Sequence, residues 1–165
     1  MAIIDARRRV IVDTWFYPGI ENPADLNTIL RLDELTALNE SRSISRPIGA
    51  LLPPDTLIET LAPYLNRLDL VAVEFPKFRD GRGFTIARSL REHHHYRGDI
   101  RAVGHILPDQ FAALVQCGFS SILTPPDHPP DQWQQVAILS PVGKSRSGPL
   151  LRRLLNDQSS ENHRS

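Results

Sequence analysis

The stretch FPKFRDGRGFTIARSLRE, residues 75–92, carries the densest set of groups able to do chemistry. An apolar run ends at Phe75, and a helical pattern begins after Gly83. Between them lie Lys77, Arg79, Asp80, Gly81, Arg82 and Gly83. Glycines let backbone N–H groups approach a ligand and permit positive φ angles. A helix start adds the positive end of its dipole. Arginines add bidentate bonds to planar or tetrahedral oxyanions. Together these are parts for a sulfate, sulfite, phosphate or carboxylate cradle, with Asp80 either orienting Arg82 or capping the helix. The competing reading is a solvated turn before a capped helix.

The elements around this loop read as βα units. IGALL (48–52), LVAVEF (70–75), IRAVGHI (100–106) and FSSIL (119–123) are short apolar runs read as strands. Between them, Asp55 is placed to cap a helix containing Leu57, Ile58, Leu61 and Leu65, which Pro63 kinks or ends. The next helix buries Ile86, Ala87 and Leu90. A further one starts at Pro108 and Asp109 and stops at Gly118. The expected fold is α/β, with about four parallel strands in βα units, as an open sheet or a partial barrel. AIID and RVIVDTWF add a short N-terminal hairpin. The stretch 26–40 reads as loosely helical, SRSISRP as a polar linker, and QVAIL (135–139) as an added strand. One α/β domain spans 1–155 with its core at 48–125, and 156–165 is a disordered tail.

Ligands of parallel α/β sheets gather beyond the strand carboxyl ends. That places His105 and Asp109 near the 77–83 loop, where Asp80, His105 and Asp109 are the candidate acids or bases of an enzyme. Other signals are weaker. His93, His94 and His95 point about 100° apart on a helix, so no two share a face. GKSRSG (143–148) fails as a P-loop because Ile138 stands where a glycine is required. Cys117 falls at the far end of its helix from His105 and reads as structural.

Composition narrows the class. The chain has 165 residues, 41% hydrophobic, and zero net charge. Nonspecific nucleic-acid binding has no global electrostatic support. No apolar run reaches the roughly 18 residues of a membrane span, and a cytoplasmic protein is expected. A single cysteine excludes an internal disulfide and a cysteine-rich zinc site. No metal or cofactor is expected.

The series FPKFRDGRGFTIARSLRE, GDIRAVGHILPDQ and CGFSSI resembles a bacterial family of uncharacterised proteins. Its members are usually encoded beside assimilatory sulfite reductase and are commonly labelled oxidoreductases involved in sulfite reduction. The resemblance runs from about Leu51 to Leu123, with a weaker echo at Asp13 and Trp15. It implies a place in sulfur assimilation, with sulfite reductase as a partner and a small oxyanion as ligand. It also implies a site in which Arg82 and Arg101 clamp the ligand, the Gly81–Gly83 backbone donates to it, and Asp80 and Asp109 position these groups, with Gln110 beside them. His105 and Gln116 depart from the family pattern, which carries an acidic residue and an arginine there. The chain has no cysteine pair, haem-ligand motif or Rossmann fingerprint behind the oxidoreductase label. The favoured expectation is therefore an anion-binding accessory of sulfite reduction, and the alternative is a small enzyme acting on a sulfur metabolite.

Overall fold

A computed structural model describes residues 1–22, 24, 26–38 and 46–139. The elements are β1 (Ile3–Asp5), β2 (Val10–Ile11), β3 (Thr28–Arg31), α1 (Leu32–Ala37), β4 (Ile48–Leu52), α2 (Ile58–Leu61), β5 (Leu70–Phe75), α3 (Arg82–Glu92), β6 (Asp99–Gly104), α4 (Phe111–Cys117), β7 (Ser121–Leu123) and α5 (Pro130–Leu139). They form an α/β fold around one open seven-stranded sheet of order β2-β1-β7-β6-β5-β4-β3. β3 to β7 are parallel, and the β1–β2 hairpin joins β7 antiparallel.

The sheet thus has five parallel strands, not the four read from the sequence. The extra one is β3, inside the stretch read as helical. Thr28–Arg31 pairs along β4, and the chain turns into α1 immediately afterwards. Glu34 Oε2 accepts the Arg31 N–H at 2.7 Å and fixes that switch. Two patterns of different period lie end to end, and their sum resembles one loose helix. The run 9–16 shortens to Val10–Ile11, and QVAIL falls within α5. Asp55 does not cap α2, whose N-cap position is Leu57. Pro63 lies in the first turn of a 3₁₀ segment, Ala62–Arg67, where its missing N–H costs nothing. GKSRSG and the tail lie outside the described residues.

Successive parallel strands are always neighbours, added in one direction. Right-handed crossovers then stack the connecting helices on one face. Ala50, Leu52, Val71, Val73, Phe75, Ile100, Ala102 and Ile122 point to that face and share a buried cluster with Leu61, Ile86, Leu90, Leu114 and Trp133. Within α3, Ile86, Ala87 and Leu90 recur at helical spacing, with Gly83 one turn earlier. Burying a side chain such as Leu90 is worth about 1.5–3 kcal/mol.

The opposite face holds Ile3, Ile29, Leu70, Ala72 and Val103, also buried, together with every charged side chain of the parallel strands. The register aligns Arg31, Leu51, Ala72, Arg101 and Ser121 in one transverse row there. β2 and β3 are opposite edges of the sheet, so the chain between them must traverse it. Phe16 completes the traverse by bridging to Thr28 alongside β3.

Candidate functional site

The loop after β5 is held by its own charges. The Asp80 N–H donates to Lys77 O at 3.0 Å, closing a turn. The Asp80 carboxylate accepts the Arg82 backbone N–H at 3.1 Å, Nε at 2.9 Å and Nη2 at 2.6 Å. Asp80 therefore accepts the first N–H of α3, whose N-cap position is Gly81, and also orients Arg82. Hydrogen bonds from Arg82 hold its carboxyl down at about 2. It is ionised at neutral pH, with its lone pairs engaged, which is poor equipment for a general acid or base.

The glycines differ from expectation. Gly81 has φ −80° and open space where a side chain would stand. A Cβ on Gly83 would lie 2.5 Å from Cζ of Phe75, so that glycine lets α3 pack against β5. Neither supplies a positive φ. Lys77 and Arg79 are exposed, and the Arg79 guanidinium sits 5.4 Å from the Phe78 ring centroid. No ion pair among the described residues engages Lys77 or Arg79.

The loop after β6 meets this one through Gln110. Its Oε1 accepts the Leu107 N–H at 2.9 Å, and its Nε2 donates to Phe78 O at 2.8 Å. Gln110 is thus a brace between two loops rather than an unengaged ligand group. His105 is exposed on the same rim, its backbone N–H bonded to Phe75 O at 2.7 Å. Gly104 before it has φ +102°, which suits glycine. Asp109 is exposed in the 3₁₀ turn Pro108–Gln110 and lines a separate cavity with His128. Neither His105 nor Asp109 has a side-chain hydrogen bond to Asp80 or to the other, so the three candidate acids or bases form no hydrogen-bonded unit.

Arg101 lies apart from Arg82. It is only 3% exposed, on the face away from the helices and three residues before the β6 carboxyl end. Its Nε donates to Ser121 Oγ at 3.0 Å and its Nη1 to Asp13 Oδ1 at 3.1 Å and Tyr17 Oη at 3.0 Å. Its Nη2 donates to Asp99 Oδ2 at 3.2 Å. Four of its five donors are satisfied by protein. Arg101 thereby pins the traversing segment to the sheet, and it does not share a site with Arg82. Burial pushes the Tyr17 phenol up to about 12, against the opposing pull of Arg101.

Sequence reasoning missed Tyr17, Asp99 and Ser121 as partners of Arg101. The available signal was alternation in DIRAVG. Asp99 and Arg101 share one face of an otherwise apolar strand, and a buried charge there requires partners. Arg91 is also structural: it donates to Tyr96 O at 2.8 Å, Gly98 O at 2.9 Å and Gly118 O at 3.0 Å. Cys117 is buried, with Arg88 Nη2 at 3.5 Å from Sγ. His93 lies at the C-cap of α3, and no group of three or more His, Cys, Asp or Glu among the described residues could hold a metal ion. No helix among these residues is long and apolar enough to cross a membrane.

Residues 49–140, more than half of the chain, match the family model described as bacterial protein of unknown function (DUF934). The chain belongs to this family. The matched span runs from β4 into α5, so it contains both rim loops, Gln110 and Arg101. Asp13 and Tyr17, which complete the Arg101 network, lie before it. No curated protein matches the chain.

Proposed function

We propose that this member of the family is an accessory of assimilatory sulfite reduction that holds a small oxyanion on an open loop, rather than an enzyme with an enclosed catalytic pocket. The observation that carries the binding part is the state of Lys77 and Arg79: two exposed cations on a braced loop, without an ion-pair partner among the described residues. Arg82, fixed by Asp80 in the same turn, keeps N–H groups that Asp80 does not engage. The resemblance of the same loop to proteins encoded beside sulfite reductase supports sulfur oxyanions as the ligand class.

The catalytic alternative gains little support from the geometry, because Asp80 is engaged by Arg82 and forms no pair with His105 or Asp109.

The test combines titration of sulfite and sulfate into the full chain with sulfite-reductase turnover in its presence and absence. Binding should weaken when Lys77 and Arg79 are both replaced by Ala, by about 1.5–3 kcal/mol per charge-assisted bond lost. Turnover should change with the wild type and not with the double variant. Undiminished anion affinity in that variant would remove the loop from the reading, and a chain with no effect on turnover would remove the accessory role.

A further inference from the structure

A second position on the carboxyl rim has the character of a binding site, independently of the 77–82 loop. Glu74 is the next-to-last residue of β5, the central parallel strand, on the face away from the helices. It is half-buried, and among the described residues it takes part in no ion pair or side-chain hydrogen bond. The contrast with its own face is informative. Arg101 and Asp99 on neighbouring β6 are bonded to each other and to Ser121. Glu74 has no such protein partner among the described residues.

A cavity of about 410 Å³ opens at this point. Glu74, Leu51, Arg31, Asp33, Thr36 and Thr60 line it. Its size falls in the range of small-molecule pockets, and it lies outside the carboxyl ends of β4 and β5. Arg31 and Ala72 share a transverse row through Leu51, and Glu74 stands two residues beyond Ala72. Two strand spacings and two residue rises put the Arg31 and Glu74 backbones about 12 Å apart. They form no ion pair with each other, and both line the space between.

The lining offers one guanidinium, two carboxylates, two hydroxyls and an apolar floor at Leu51. Both signs of charge are present, with a formal total of −1, so a simple anion would face two carboxylates and a simple cation would face Arg31. We infer that this cavity binds a small zwitterion of the α-amino-acid class, its carboxylate on Arg31 and its ammonium on Glu74. Asp33, Thr36 and Thr60 supply further polar contacts, and Leu51 meets the ligand's side chain.

The test is ligand-observed NMR of the full chain with each proteinogenic amino acid. Propionate and propylamine serve as probes carrying one charge each. At least one amino acid should bind below an affinity limit on the order of 10 mM, with both single-charge probes weaker by about tenfold or more. E74Q and R31Q should each weaken the amino acid by about tenfold or more, and circular dichroism would verify their folding. Should either variant fail to fold, amide shifts at Leu51 and Thr36 in the wild type report the site directly. Three results would overturn the inference: no amino acid bound at that limit, propylamine bound as well as the amino acid, or shifts and variants that leave this cavity unaffected. The loss of Lys77 and Arg79 should not alter amino-acid binding, which separates this site from the loop.

Discussion

Replacing Arg101 with Ala tests the division between structural and ligand-facing arginines. The side chain is 4% exposed and bonded to two carboxylates, at 3.1 Å to Asp13 and 3.2 Å to Asp99. Truncation leaves both carboxylates facing Ser121 and Tyr17 without a cation. Breaking a fully buried pair costs about 3–5 kcal/mol. Asp13 and Asp99 retain 26% and 28% of their side-chain exposure, so water recovers part of that loss. The expected destabilisation is therefore about 2–4 kcal/mol, or on the order of 10 °C in midpoint temperature for a chain of this size. Urea unfolding followed by circular dichroism, without ligand, measures it. Asp13→Asn should cost less in the Arg101→Ala background than in the wild type, with a coupling of about 1 kcal/mol or more. A ligand clamp would behave differently: ligand-free stability would stay within about 0.5 kcal/mol, the range of ordinary surface changes. A measured loss below about 1 kcal/mol, or additive variants, would refute the argument from burial.

Four further outcomes follow from named contacts. Gly83→Ala should destabilise by about 1–3 kcal/mol because its Cβ would stand 2.5 Å from the Phe75 ring, whereas Gly81→Ala, at φ −80° in open space, should be neutral or stabilising by up to about 1 kcal/mol; paired thermal melts compare them. Tyr17 should titrate late in a phenolate absorbance experiment, since burial raises it to about 12 from an ordinary 10. Because the folded value is the higher one, its contribution is fully present below pH 10 and is lost as pH rises through about 12, and Tyr17→Phe should flatten stability across that window. Asp80 works in the opposite direction: its folded value is lowered from 3.8 to about 2, so its contribution is present above pH 3.8 and lost as pH falls through about 2, and carboxyl NMR should find it moving back up in Arg82→Ala. Gln110→Ala should release Phe78 from Leu107, seen as faster amide exchange at Leu107 with α3 unaffected.

The parallel core was legible because β4 to β7 and their helices are short apolar blocks bounded by Pro, Gly and charge. β3 was not legible: TILR is only four residues long and runs directly into LDELTA, so no turn residue separates the two periods. QVAIL is β-branched at two positions, yet Trp133 fills the core one turn earlier and draws the segment into α5. At the rim, residue types identified the Asp80–Arg82 pair, since both lie in one turn. They could not distinguish a group that meets ligand from one that meets protein. Gln110 looked like a ligand group because its partners, Phe78 O and Leu107 N–H, are backbone atoms that leave no trace in side-chain chemistry.

Strand parity separates the arginines more securely than motif does. Arg101 projects from a buried strand into a covered face, where a guanidinium persists only with partners on several donors, and it has them. Arg82 stands at the first turn of a helix on the rim, with one carboxylate on one side of its fork and solvent on the other. Arg31 sits in the same transverse row as Arg101, but on β3, where the sheet nears its edge and α1 starts. There the carboxyl rim is open enough for a cavity, which α1 and α2 residues also line, and the Arg31 guanidinium is not drawn into the Asp13–Asp99 network. The same residue type is therefore structural where side chains of the traversing segment bond to it and available where they do not. Asp13 and Tyr17 supply that cover at Arg101. Asp13→Asn, by loosening that segment, should increase amide exchange along β6 and leave ligand binding at Arg31 unchanged.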